Sequence, residues 1–135
     1  MPSKGRFTWN RRPARSRVSG PLLDRFEIQV EVPPVPVADL VKASPGESSA
    51  VVAARIVAAT GRRNQEIEPA PSVAAQTILH RAIRGLGLSA RAHDGVLRVA
   101  RTIVHLEGAV SIEPQHVAEA IQYRCLDRSP VRAEG

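Results

Sequence analysis
Cysteine is almost missing from this sequence: Cys125 is the single one among 135 residues. No intramolecular disulfide can form, and no cysteine pair is available for a zinc site. Such usage fits a cytoplasmic location. Aromatic side chains are nearly as scarce, at 3% of the chain. A core must therefore be aliphatic, and an alanine-rich, aromatic-poor composition favours helices over a sandwich or barrel. No apolar run approaches the roughly 20 residues that cross a bilayer, so no membrane-spanning helix is expected. The N-terminus also lacks the apolar stretch of a secretory signal. Acidic residues are absent from positions 1 to 20.

What stands there instead is Lys4, Arg6, Arg11, Arg12, Arg15 and Arg17. Of the 19 basic residues the other 13 balance the 13 acids, so the whole net charge of +6 sits in this N-terminal arm. Residues 1–18 read as a disordered basic arm, a composition suited to nucleic acid or an acidic partner. Arg11, Arg12, Arg15 and Arg17 are its candidate phosphate contacts. Trp9, among these arginines, is placed to stack on a base, although a lone aromatic in such an arm is more often incidental.

Residues 19–25 look like a turn or the end of a helix. From 26 to 32 apolar and polar side chains alternate strictly, Phe26, Ile28, Val30 and Val32 against Glu27, Gln29 and Glu31, which predicts a half-buried strand. Pro33, Pro34 and Pro36 end it, and residues 33–47 read as a Pro-rich linker. An orphan strand cannot satisfy its own backbone, so it should belong to a sheet completed elsewhere.

Four helical segments follow, and together they predict a mainly α domain over 48–125 with a flexible tail over 126–135. The first runs from Ser48 to about Arg62, with Val52, Ile56 and Ala59 on one face. The second runs from an N-cap at Ser72 to about Arg84, carrying Ala75, Ile78, Leu79, Ala82, Ile83 and Leu86 at helical spacing, with Gly85 or Gly87 as its stop. The third runs from Ser89 to about Glu107 and stops at Gly108, with Val96, Val99, Ile103 and Leu106 inward. The fourth opens on Glu113 and Pro114, with Ile112 and Val117 placed as a hydrophobic staple; Val117, Ala120 and Ile121 face inward.

Two segments carry a family resemblance. One is Ser16-Arg17-Val18-Ser19-Gly20-Pro21-Leu22-Leu23-Asp24-Arg25-Phe26 with the alternating stretch after it. The other comprises Leu86-Gly87-Leu88-Ser89-Ala90-Arg91-Ala92, then Val96-Leu97-Arg98-Val99-Ala100-Arg101-Thr102-Ile103, then His116-Val117-Ala118-Glu119-Ala120-Ile121-Gln122-Tyr123-Arg124. Gly46-Glu47-Ser48-Ser49-Ala50 fits between them. In this order and near this spacing they resemble the C-terminal region of magnesium-chelatase-like AAA+ ATPases, in particular the ComM-type branch. The resemblance implies a four-helix AAA+ lid. It makes residues 19–32 the end of the ATPase core and Arg25 an arginine finger that acts in an assembled ring, on a neighbour's nucleotide. A planar, permanently charged guanidinium suits charge developing on a transferring phosphoryl group. The resemblance also puts the sensor-2 role, contact with nucleotide phosphates from the lid side, on Arg91. Arg98 is a weaker second candidate: it lies about 20° away round the helix, with His105 on the same face, and a pair with Asp94 or a neighbouring helix would explain it as well.

The family's phosphate-binding loop and Mg²⁺-binding acidic strand end have no counterpart in this sequence. The isolated chain therefore reads as a detached lid, without ATP or Mg²⁺ as cofactors of its own and unable to hydrolyse ATP alone, in which Arg25 would be a solvated surface arginine. His80, His93, His105 and His116 are scattered, and no metal site is expected. Three readings stay open: a lid remnant that is inert or dependent on AAA+ core or ring partners, a small basic nucleic-acid-binding helical module, and the lid subunit of a split magnesium-chelatase-type ATPase.

Overall fold
The computed structural model describes residues 19–30, 32–42, 44–65 and 67–124. The arm with Arg11, Arg12, Arg15 and Arg17, and the tail from Cys125, lie outside the described residues. The elements are α1 (Gly20–Leu23), α2 (Val37–Lys42), α3 (Ser49–Arg63), α4 (Val73–Leu86), α5 (Ala90–Glu107) and α6 (Pro114–Gln122). The fold is mainly α, with the last four helices forming the bundle.

Serines set the starts of three bundle helices. The hydroxyls of Ser48, Ser72 and Ser89 accept from Val51 N, Ala75 N and Ala92 N, each satisfying an amide that the first helical turn leaves without a carbonyl. Two glycines set the stops. Gly87 and Gly108 close α4 and α5 at φ 57° and 76°, a left-handed geometry that side chains disfavour. Arg62 adds a further cap, its Nη1 donating to the His105 carbonyl near the end of α5 at 2.6 Å.

α5 is the axis of the bundle: α3, α4 and α6 all pack against it, and α4 and α6 pack against each other. One cluster joins Ala75 and Leu79 of α4, Val96, Val99, Ala100, Ile103 and Val104 of α5, and Ile112, Val117 and Ala120 around α6. It contains no buried aromatic. Ile112 and Val117 are both fully buried, as a staple requires. Backbone bonds lock the two interhelical loops together, Ser72 N to Ile112 O and Ile112 N to Ala70 O, both 2.9 Å. Beside them His116, buried, accepts from Glu113 N at Nδ1 (2.9 Å). That leaves Nε2 to carry the proton and donate to Glu107 at 2.8 Å.

Three expectations are corrected. Residues 26–30 and Val32 form no strand; they run as an irregular strap over the bundle, and Phe26, Ile28, Val30 and Val32 are all more than half exposed. Alternation sorts side chains to two sides of an extended chain, but a strand needs a partner ladder, and no sheet exists among the described residues. Within the Pro-rich stretch 33–47, α2 forms a single short helix and buries nothing. Ile56 and Leu106, expected inside, are 55% and 42% exposed. α3 packs mainly against α5 and buries only a narrow strip, centred on Ala59, while Leu106 lies in the last turn of α5.

Hydroxyl hydrogen bonds from Ser111 and then Ser72 hold the Glu113 carboxyl below its ordinary 4.5. A depressed carboxylate stabilises the fold above its unfolded pKa and loses that contribution as pH falls through the lowered value. Thermal melts of the chain and of Glu113→Gln should therefore differ at neutral pH and converge in acid. A gap that stays constant down to pH 2 would contradict the assignment.

Candidate functional site
At one end of the bundle the strap crosses the start of α5 and the end of α6, leaving an open cleft of about 320 Å³ lined by Asp24, Arg25, Glu27, Arg91, Arg98 and Arg124. Every lining side chain is charged, and four guanidiniums face two carboxylates. The excess positive charge suits an anion with several oxygens.

Local geometry explains how each group arrives. α1 turns the chain through bonds from Leu22 N and Leu23 N to Ser19 O, which delivers Asp24 to the N-terminus of α5. There the Ser89 hydroxyl, already capping α5, lies 3.2 and 3.3 Å from the two Asp24 carboxylate oxygens. Arg124 Nη2 reaches the carbonyl of Asp24 at 3.1 Å and its Oδ1 at 3.3 Å. Three residues on, Glu27 pairs with Arg98 at 2.8 Å. With side chains 38% and 59% exposed, that pair contributes only about 0–1 kcal/mol. Gln29 N donates to Tyr123 O at 2.9 Å and closes the strap.

The structure thus brings Arg25, Arg91 and Arg98 to one cleft. Arg98 pairs with the strap through Glu27, not with Asp94, whose carboxylate meets His93 at 3.1 Å. His105, on the same helical face, is not part of the lining. Arg25 and Arg91 are exposed, and among the described residues neither has a carboxylate in ion-pair range. Arg91 is the second residue of α5, where the helix dipole disfavours a cation and favours an anion. Helix stability therefore does not explain an arginine there, whereas a bound anion would be attracted by both. No cluster of His, Cys, Asp and Glu able to hold a metal ion occurs among the described residues.

Sequence reasoning attached no role to Arg124, which is 3% exposed and lies 100 positions from Asp24. The signal was Gly95, in the middle of α5, where glycine costs about 1 kcal/mol relative to alanine. A Cβ at Gly95 would stand 2.5 Å from Arg124 Nη1 and 3.6 Å from Glu27 Cγ. The glycine makes room for the guanidinium and for the strap.

Residues 46–124, all of α3 to α6, match the family described as magnesium chelatase, subunit ChlI C-terminal. The chain belongs to that family. Within it, the chain is similar to the uncharacterized protein YifB of Salmonella typhimurium, 40% identical over 129 residues, and to YifB of Escherichia coli, 38% identical over 133. It is also similar to the competence protein ComM of Haemophilus influenzae, 34% identical over 131 residues. Each match covers 84% of this chain and 25% of the relative, so the chain spans about a quarter of the length of these curated relatives. No solved structure gives a significant match. The magnesium-chelatase C-terminal segment supplies Arg91, Arg98 and Arg124 to the cleft, while Asp24, Arg25 and Glu27 come from the strap before it. No helix among the described residues is long and apolar enough to cross a membrane.

Proposed function
We propose that this chain is the lid of a ComM-type, magnesium-chelatase-like AAA+ ATPase, and that its arginine cleft receives nucleotide phosphates. The observation that carries this reading is the meeting of Arg25, Arg91 and Arg98 on one cleft, with Arg25 and Arg91 free of carboxylates among the described residues. In this reading Arg91 senses the phosphates from the lid, and Arg25 acts as the arginine finger once core subunits form a ring. ATP and Mg²⁺ are then held mainly by the core, and this chain meets the nucleotide through its phosphate oxygens. Sharing one cleft favours action on a single nucleotide. The likeness to a competence protein and the unopposed positive charge of the N-terminal arm favour DNA as the substrate that the ring remodels.

Calorimetric titration of the chain with inorganic tripolyphosphate tests the cleft. Binding should weaken by about tenfold in Arg91→Ala, the effect of losing one charge-assisted contact, and should weaken as salt rises. Equal affinity in Arg91→Ala and the unsubstituted chain would remove the sensor role. A short DNA duplex in the same titration should bind at low salt through the arm and be indifferent to Arg91→Ala.

A further inference from the structure
We propose that Arg124 is a positioning residue of the cleft: lying across Gly95, it clamps Asp24 to the ends of α5 and α6 and thereby sets Arg25 beside Arg91. The purpose of that placement rests on the phosphate reading above; the clamp itself does not.

Burying a guanidinium is unfavourable unless partners replace its water. Arg124 is nonetheless 97% buried, and its Nε has no hydrogen-bond partner among the described residues. Its place just past the end of α6 would suit the helix dipole, but a dipole role is served equally well by a side chain lying in solvent. The direction of the side chain is what needs explaining. Its Nη2 takes both the carbonyl and the carboxylate of Asp24, and so fixes backbone and side chain of the residue immediately before Arg25. Its Nη1 occupies the space that only a glycine at 95 leaves open. The Ser89 hydroxyl holds the same carboxylate from the α5 side. One residue before Arg124, the Tyr123 carbonyl accepts from Gln29 N. Consecutive residues at the end of α6 therefore fasten the strap at two points on either side of Arg25 and Glu27.

Hydrogen exchange on the full chain tests the clamp. In Arg124→Met, exchange of the strap amides at Arg25, Phe26 and Gln29 should rise about 10–100-fold, the range for losing hydrogen bonds to a charged group. Amides at Leu79 and Val104 should keep their protection. Gly95→Ala keeps every charge and installs a better helix former, so a purely helical role for the position predicts an unchanged or tighter structure. The clamp predicts that the strap loosens in Gly95→Ala as well. Unchanged strap exchange in Gly95→Ala, or loosening only together with the core amides, overturns it.

Placement is read separately. Arg124→Met should weaken tripolyphosphate binding about tenfold when Arg25 is present and should add nothing in an Arg25→Ala background, because it acts through Arg25. Equal losses in both backgrounds would make Arg124 a direct ligand or a general support and overturn the positioning role. If the unsubstituted chain does not bind tripolyphosphate, the phosphate reading and the placement fall together, and exchange alone decides the clamp.

Discussion

Arg25→Ala should reduce ATP turnover by about 10³–10⁵-fold when the chain is combined with a separately produced ATPase core of its ComM-type relatives, the range seen for loss of an arginine finger. The expectation is sharp because the substitution costs the bundle little. Arg25 is exposed and has no ion pair among the described residues, and surface substitutions away from such features stay within about 0.5 kcal/mol. A loss of turnover without a loss of stability is therefore attributable to the guanidinium. Arg25→Lys should restore little, since an ammonium cannot present two parallel N–H groups to a phosphoryl group. The assay pairs steady-state hydrolysis with denaturant melts of each variant. A fall of less than tenfold in Arg25→Ala, with the complex still assembled, would leave Arg25 a surface arginine.

Leu79→Ala should cost about 2–5 kcal/mol of folding stability, the range for truncating a buried leucine. Leu79 is 1% exposed and belongs to the same buried cluster as Val96, Val99, Ala100, Ile103 and Val104. Those five come from α5, the axis of the bundle, while α4 itself packs chiefly on α6, and no aromatic side chain is among the buried members of the cluster. In a domain whose total stability lies near 5–15 kcal/mol, such a loss leaves little reserve. Urea titration should show a midpoint well below that of the unsubstituted chain at an unchanged slope. A shift of less than 1 kcal/mol would mean that Leu79 lies outside the cooperative core.

The bundle was legible because its signals are local. A stripe such as Ala75, Ile78, Leu79, Ala82, Ile83 and Leu86 marks the inner face of α4 without reference to any neighbour, and Ser72, Ser89, Gly87 and Gly108 mark ends through their own backbone preferences. Ile56 and Leu106 were misplaced because periodicity identifies a face but not how much of it another helix covers. The alternation over 26–32 predicts a strand for a related reason: it sorts side chains to two sides, but among the described residues no second strand pairs with it. For the site, Arg25 and Arg91 are legible through the resemblance alone, and the structure places Arg91 in the first turn of α5. That they share a cleft with Arg98 depends on tertiary contacts between residues 24–29 and the ends of α5 and α6, which no local pattern encodes. Arg124 lay inside a recognised motif, yet its role depends on Gly95, an apparent flaw in a helix that is a clearance for another side chain.

The strap has one further consequence. Its polar anchors, Asp24, Glu27 and the Gln29 amide, are fastened to the bundle, while Phe26, Ile28, Val30 and Val32 turn a greasy flank outward. A surface laid on the bare border would be tied to α5 and α6 through Asp24, Glu27 and the Gln29 amide, so that a displacement of those helix ends would reach it along the ribbon.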